Sequence, residues 1–99
     1  MVLWASYPSK IFRIEDKNLA VLSIYGTEDG LTTLDEIETS RQHLPVGTRF
    51  VAIEGGNHTQ FGWYGDNGAL QKGDNEAAIS HEEQQNQIIS ATVAFLKSL

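Results

Sequence analysis

Ala20-Val21-Leu22-Ser23-Ile24-Tyr25, then Thr33-Leu34-Asp35-Glu36, then Thr48-Arg49-Phe50-Val51-Ala52-Ile53: these pieces of residues 20–53 decide the fold. The first is apolar on both faces, the pattern of a strand buried inside a parallel sheet. Thr33 and Glu36 stand at capping-box spacing, where hydroxyl and carboxylate satisfy orphan N–H groups reciprocally. Leu34, Ile37 and Leu44 share a helical face and Pro45 forbids continuation, which predicts a helix over 33–44. Val46-Gly47 then turns the chain into a strand over 48–53. Strand, helix and strand make a βαβ unit, whose two strands must run parallel.

Outward from this unit, Val2-Leu3-Trp4-Ala5-Ser6-Tyr7 reads as a further strand, stopped by Pro8. Residues 8–18 are a polar connection that Ile11, Phe12 and Ile14 can anchor. Residues 55–79 form a long irregular loop holding Phe61, Trp63 and Tyr64, and loops of that length are usually functional or mobile. Ser80-His81-Glu82-Glu83 is a second capping box, opening a helix over 80–99 on which Ile88, Ile89, Thr92, Phe95, Leu96 and Leu99 recur at spacings of three and four. The expectation is one α/β domain spanning residues 1–99, a three-stranded parallel sheet with flanking helices.

Composition narrows the function classes. A net charge of −6, with 7 Lys and Arg that form no cluster, argues against nucleic-acid and anionic-membrane surfaces. Zero cysteines exclude disulfides, thiolate metal sites and a cysteine nucleophile. No apolar run is long enough to span a bilayer, and Met1-Val2-Leu3-Trp4 lacks a basic leader region. A soluble, cytoplasmic protein is the expectation.

The carboxyl ends of strands in an open parallel sheet are where ligands bind. Tyr25-Gly26-Thr27-Glu28-Asp29-Gly30 follows the strand over 20–25, and Glu54-Gly55-Gly56-Asn57-His58 follows the strand over 48–53. Asp29 and His58 therefore leave the sheet at the same end, on strands about 5 Å apart if they are neighbours. An aspartate bonded to one imidazole nitrogen fixes the tautomer and leaves the other nitrogen as a general base. Spacing alone leaves a second reading open, in which Asp29 caps a turn and His58 is a hydrogen-bonded loop histidine. Phe61, Trp63 and Tyr64 either line a substrate pocket or pin the long loop to the core. Asp66, Asp74, Glu76, His81 and Glu82 can ligate metals, but their spacing fits neither an EF-hand loop nor a His-Glu-x-x-His helix, so they read as a solvated acidic loop. No metal and no cofactor is expected. Gly26 to Gly30 matches neither nucleotide fingerprint. His43 reads as a favourable helix-end charge or a neutral surface residue.

The turn from Tyr25 to Gly30 resembles the acid-bearing turn of α/β-hydrolases. Ile53-Glu54-Gly55-Gly56-Asn57-His58-Thr59-Gln60-Phe61-Gly62 is similar to the histidine loop of the dienelactone-hydrolase-like members. Gly73-Asp74, Ala78-Ile79-Ser80 and Glu83-Gln84-Gln85 resemble the tail of the same subgroup. The resemblance implies that the three strands are the last three of a larger sheet, with Asp29 as triad acid and His58 as triad base. The family order is Ser, then Asp or Glu, then His. No Gly-x-Ser-x-Gly occurs in these residues, and the serines at 6, 9, 23, 40, 80, 90 and 98 lack that context.

Two expectations follow. In the first, this is the C-terminal portion of a serine hydrolase acting on a small acyl substrate such as an ester, inactive without the nucleophile-bearing N-terminal half. In the second, it is a non-catalytic α/β module that self-associates as a homo-oligomer or binds a partner, because a severed parallel sheet exposes an edge and apolar faces.

Overall fold

The computed structural model describes residues 1–6, 19–62 and 70–99. Its elements are β1 (Val2–Trp4), β2 (Leu22–Gly26), α1 (Leu34–Ser40) with a 3₁₀ turn at Arg41–His43, β3 (Arg49–Ile53), a 3₁₀ turn at Thr59–Phe61, and α2 (His81–Lys97). The strands form one sheet in the order β1-β2-β3. Both pairings are parallel, with Val2 beside Leu22 and Leu22 beside Arg49. The fold is α/β: a three-stranded parallel sheet with two helices.

β2 is central, and its side chains are buried on both faces: Leu22, Ser23 and Ile24 are each 1% exposed or less. Leu22 and Ile24 join Ala5, Ile53, Phe61, Ile88 and Phe95 in the core, so α2 packs over the face that carries the even-numbered residues of β2. The α1 capping box forms as the spacing requires: Thr33 Oγ1 accepts the Glu36 N–H, and Glu36 Oε1 accepts the Thr33 N–H at 3.1 Å.

Five expectations need correction. The first strand pairs only as far as Trp4, because buried Ala5 sits at φ 49°, in the left-handed region. That conformation is costly for alanine and is held by bonds from Ala5 N–H to Ile24 O (2.8 Å) and from Thr32 Oγ1 to Ala5 O (2.9 Å). The helix after Thr33 ends as α-helix at Ser40 and tightens into the 3₁₀ turn; its inward face is Ile37, Ser40 and Leu44, whereas Leu34 is half exposed. His43 is buried rather than at the surface. On α2, Ile88 and Phe95 are buried, but Ile89, Leu96 and Leu99 are more than half exposed. Consecutive helical residues point about 100° apart, so Ile88 and Ile89 cannot both face the core. The second capping box is half formed: Ser80 Oγ accepts the Glu83 N–H at 3.0 Å, while the Glu83 carboxylate accepts from Gln87 Nε2.

Ile11, Phe12 and Ile14 lie outside the described residues. Among the described residues, no helix is long and apolar enough to cross a membrane.

Candidate active site

Adjacent strands deliver two loops that touch backbone to backbone. Thr27 N–H donates to Ile53 O at 3.1 Å and Glu28 N–H to Gly56 O at 2.8 Å, so the chain leaving β2 lies directly on the chain leaving β3. A Cβ on Gly26 would collide with the Gly56 carbonyl, which makes this approach possible only for glycine. Gly55, at φ 80°, turns the second loop and donates its N–H to Thr27 Oγ1 at 2.8 Å.

These loops place Asp29 against His58. Asp29 Oδ2 lies 2.9 Å from His58 Nδ1. Asp29 Oδ1 accepts the N–H groups of Leu31 (2.8 Å) and Thr32 (2.6 Å). The aspartate side chain is fully buried, while the imidazole is 25% exposed. An acceptor carboxylate at Nδ1 selects the tautomer with its proton there, leaving the Nε2 lone pair available. Among the described residues, Nε2 has no hydrogen-bond partner. Buried acid, ordered imidazole and a free, accessible nitrogen can together accept a proton and hold the resulting charge.

Around this pair runs a polar network that spacing does not reveal. Gln84 of α2, fully buried, pairs with the Asn57 backbone as one peptide pairs with another: Asn57 N–H to Gln84 Oε1 at 3.1 Å and Gln84 Nε2 to Asn57 O at 2.8 Å. Gln60 Nε2 also donates to Gln84 Oε1 at 2.8 Å, and Gln60 N–H to Asn57 Oδ1 at 2.9 Å. The residue before His58 is thereby fixed to a helix. The available signal was a polar residue at position 84, one turn before Ile88 on the inward face.

Asp74 lies in the exposed loop that the sequence suggests, beside exposed Lys72, Gly73, Asn75 and Glu76, but its own carboxylate is turned onto the site. Its carboxylate accepts from Gly30 N–H (2.9 Å), Asn75 N–H (2.9 Å), Thr59 N–H (2.7 Å) and Thr59 Oγ1 (2.7 Å). Partial burial works to raise its pKa, but these four bonds outweigh it and hold the carboxyl below the ordinary aspartate value. Phe61 is buried in the core cluster, the anchoring arrangement; Trp63, Tyr64 and Asp66 lie outside the described residues. Among the described residues, no group of three or more His, Asp and Glu side chains is placed to hold a metal ion.

Compared with known protein families, residues 1–86 match the alpha/beta hydrolase family. No curated protein and no solved structure matches the chain.

Proposed function

The chain belongs to the alpha/beta hydrolase family, and on that premise we propose that it carries the acid and base of a serine hydrolase of the dienelactone-hydrolase-like subgroup. Its nucleophile comes from residues outside these 99, in a segment bearing the Gly-x-Ser-x-Gly turn and the oxyanion hole. The substrate class is a small ester or related acyl compound, and the setting is cytoplasmic. The observation that supports this reading is the 2.9 Å contact between buried Asp29 and partly exposed His58.

In the complete enzyme the serine Oγ attacks the carbonyl carbon as His58 Nε2 takes its proton. Asp29 stabilises the imidazolium without itself being protonated. His58 then gives the proton to the departing alkoxide, which leaves an acyl-enzyme. Water attacks that ester by the same route in reverse, and serine is regenerated. Of the three aromatic residues that follow the histidine, Phe61 anchors the loop to the core, which leaves Trp63 and Tyr64 as the candidates for binding the acyl group.

A fluorophosphonate serine probe tests this. The chain alone is expected to stay unlabelled, and the chain joined to its upstream half to label at serine, with His58→Ala slowing labelling by orders of magnitude. Equal labelling of the isolated chain would contradict the assignment.

A second reading is that this module acts by self-association. It is favoured by β1 and β3 each pairing with only one strand among the described residues, and by the exposed stripe Ile89, Val93 and Leu96 on α2. A second copy adding to the β1 edge would give a symmetric homodimer.

A further inference from the structure

We infer that Asp74 is the positioning residue for the Asp29–His58 pair, a single carboxylate that ties the peptide after the acid to the peptide after the base. The inference rests on the acid–base reading above and adds what holds that pair in register. Gly30 directly follows Asp29, and Thr59 directly follows His58. Asp74 Oδ1 accepts from Gly30 N–H and Oδ2 from Thr59 N–H, at 2.9 and 2.7 Å.

The remaining two bonds complete the carboxylate. A carboxylate offers about four lone-pair sites, and Asp74 receives four donors: these two, Asn75 N–H on Oδ1 and Thr59 O–H on Oδ2. The hydroxyl direction is forced, because Thr59 Oγ1 accepts from Gln71 N–H at 2.9 Å and so points its own proton at Asp74. The turn that brings Asp74 in is built for close approach. Gly73 sits at φ 94°, Asp74 N–H closes back to Gln71 O at 3.0 Å, and a Cβ on Gly30 would lie 2.5 Å from Gly73 O. Asn75 O accepts Asn57 Nδ2 at 2.8 Å, so the same turn braces the residue before His58 as well.

Four donors on one side chain make the site intolerant of an amide. Asn at 74 keeps the shape but turns an NH2 against two N–H or O–H donors, whichever way it flips. The effect on the pair is read on the whole 99-residue chain by two-bond 15N–1H spectra of the His58 ring and by amide hydrogen exchange. Wild type is expected to show the Nδ1–H tautomer. Asp74→Asn is expected to average the two tautomers and to speed exchange at Gly30 and Thr59 by about tenfold or more.

Thr59→Val, which removes the hydroxyl donor to Asp74 together with the acceptor of the Gln71 N–H but keeps the Thr59 N–H bond, is expected to move both readouts in the same direction by less. It decides the matter by the same criterion if Asp74→Asn loses its far-UV circular dichroism. Asp29→Asn separates the two levels of the account. If wild type shows no Nδ1–H preference, or Asp29→Asn leaves the ring unchanged, the acid–base reading fails and the positioning role with it. If that preference is present and depends on Asp29 but survives Asp74→Asn with slow exchange at Gly30 and Thr59, Asp74 is structural only and the inference is overturned.

Discussion

Asp29 divides its oxygens between two tasks, and the division predicts how a conservative change fails. Oδ1 is committed to the N–H groups of Leu31 and Thr32, so only Oδ2 faces His58. In Asp29→Asn the amide oxygen keeps the two backbone donors, and the NH2 donates to Nδ1. The proton then sits on Nε2, where the base should have a lone pair, and the 15N spectrum should show this reversed tautomer. Asp74 carries the pH dependence that direction alone can give. Its folded pKa lies below the ordinary value of 3.8, so its contribution to stability is fully present above 3.8 and is lost as pH falls through the lower folded value. Urea melts of wild type and Asp74→Asn should therefore differ at pH 6 and converge in strong acid. Gly26→Ala drives a Cβ into the Gly56 carbonyl, and overpacking against backbone should cost roughly 1–3 kcal/mol by denaturant melt. Unchanged stability would mean that the two loops are not in contact.

At the scale of elements, what the sequence reveals and what it hides follow from distance along the chain. The capping box at Thr33 and Glu36, the apolar strand runs and the stop at Pro45 involve neighbours no more than about four residues apart, and they are legible. The end of β1 is not, because Ala5 owes its backbone conformation to Ile24 and to Thr32, a residue 27 positions away. The inward face of α2 was ambiguous for a different reason: Ile88 and Ile89, like Phe95 and Leu96, are adjacent apolar pairs, and only packing chooses between them. Asp29 and His58 were readable as candidates because they follow recognisable strands. Gln84 and Asp74 leave no local pattern that marks them as partners of the site, since their contacts span 27 and 44 positions. Gln84 anchors the histidine loop to α2, and Gln84→Leu would strand the buried Asn57 N–H and C=O. We expect a loss of at least about 2 kcal/mol, together with faster exchange at the Asn57 amide.

For the whole molecule, the arrangement places one acid and one base on the rim of a sheet that has β1 at one edge and β3 at the other among the described residues. Parallel sheets are ordinarily covered and extended. Under the self-association reading, sedimentation at micromolar concentration should find a dimer, and a compact stable monomer would count against it. Under the hydrolase reading, the β1 edge instead receives the nucleophile-bearing half. The most direct measurement is kcat/KM for a small chromogenic ester with that half restored, for wild type, His58→Ala and Asp29→Ala. The account predicts measurable turnover that falls by about 10⁴-fold in Asp29→Ala and by about 10⁶-fold in His58→Ala. Turnover that persists unchanged in both variants would contradict it.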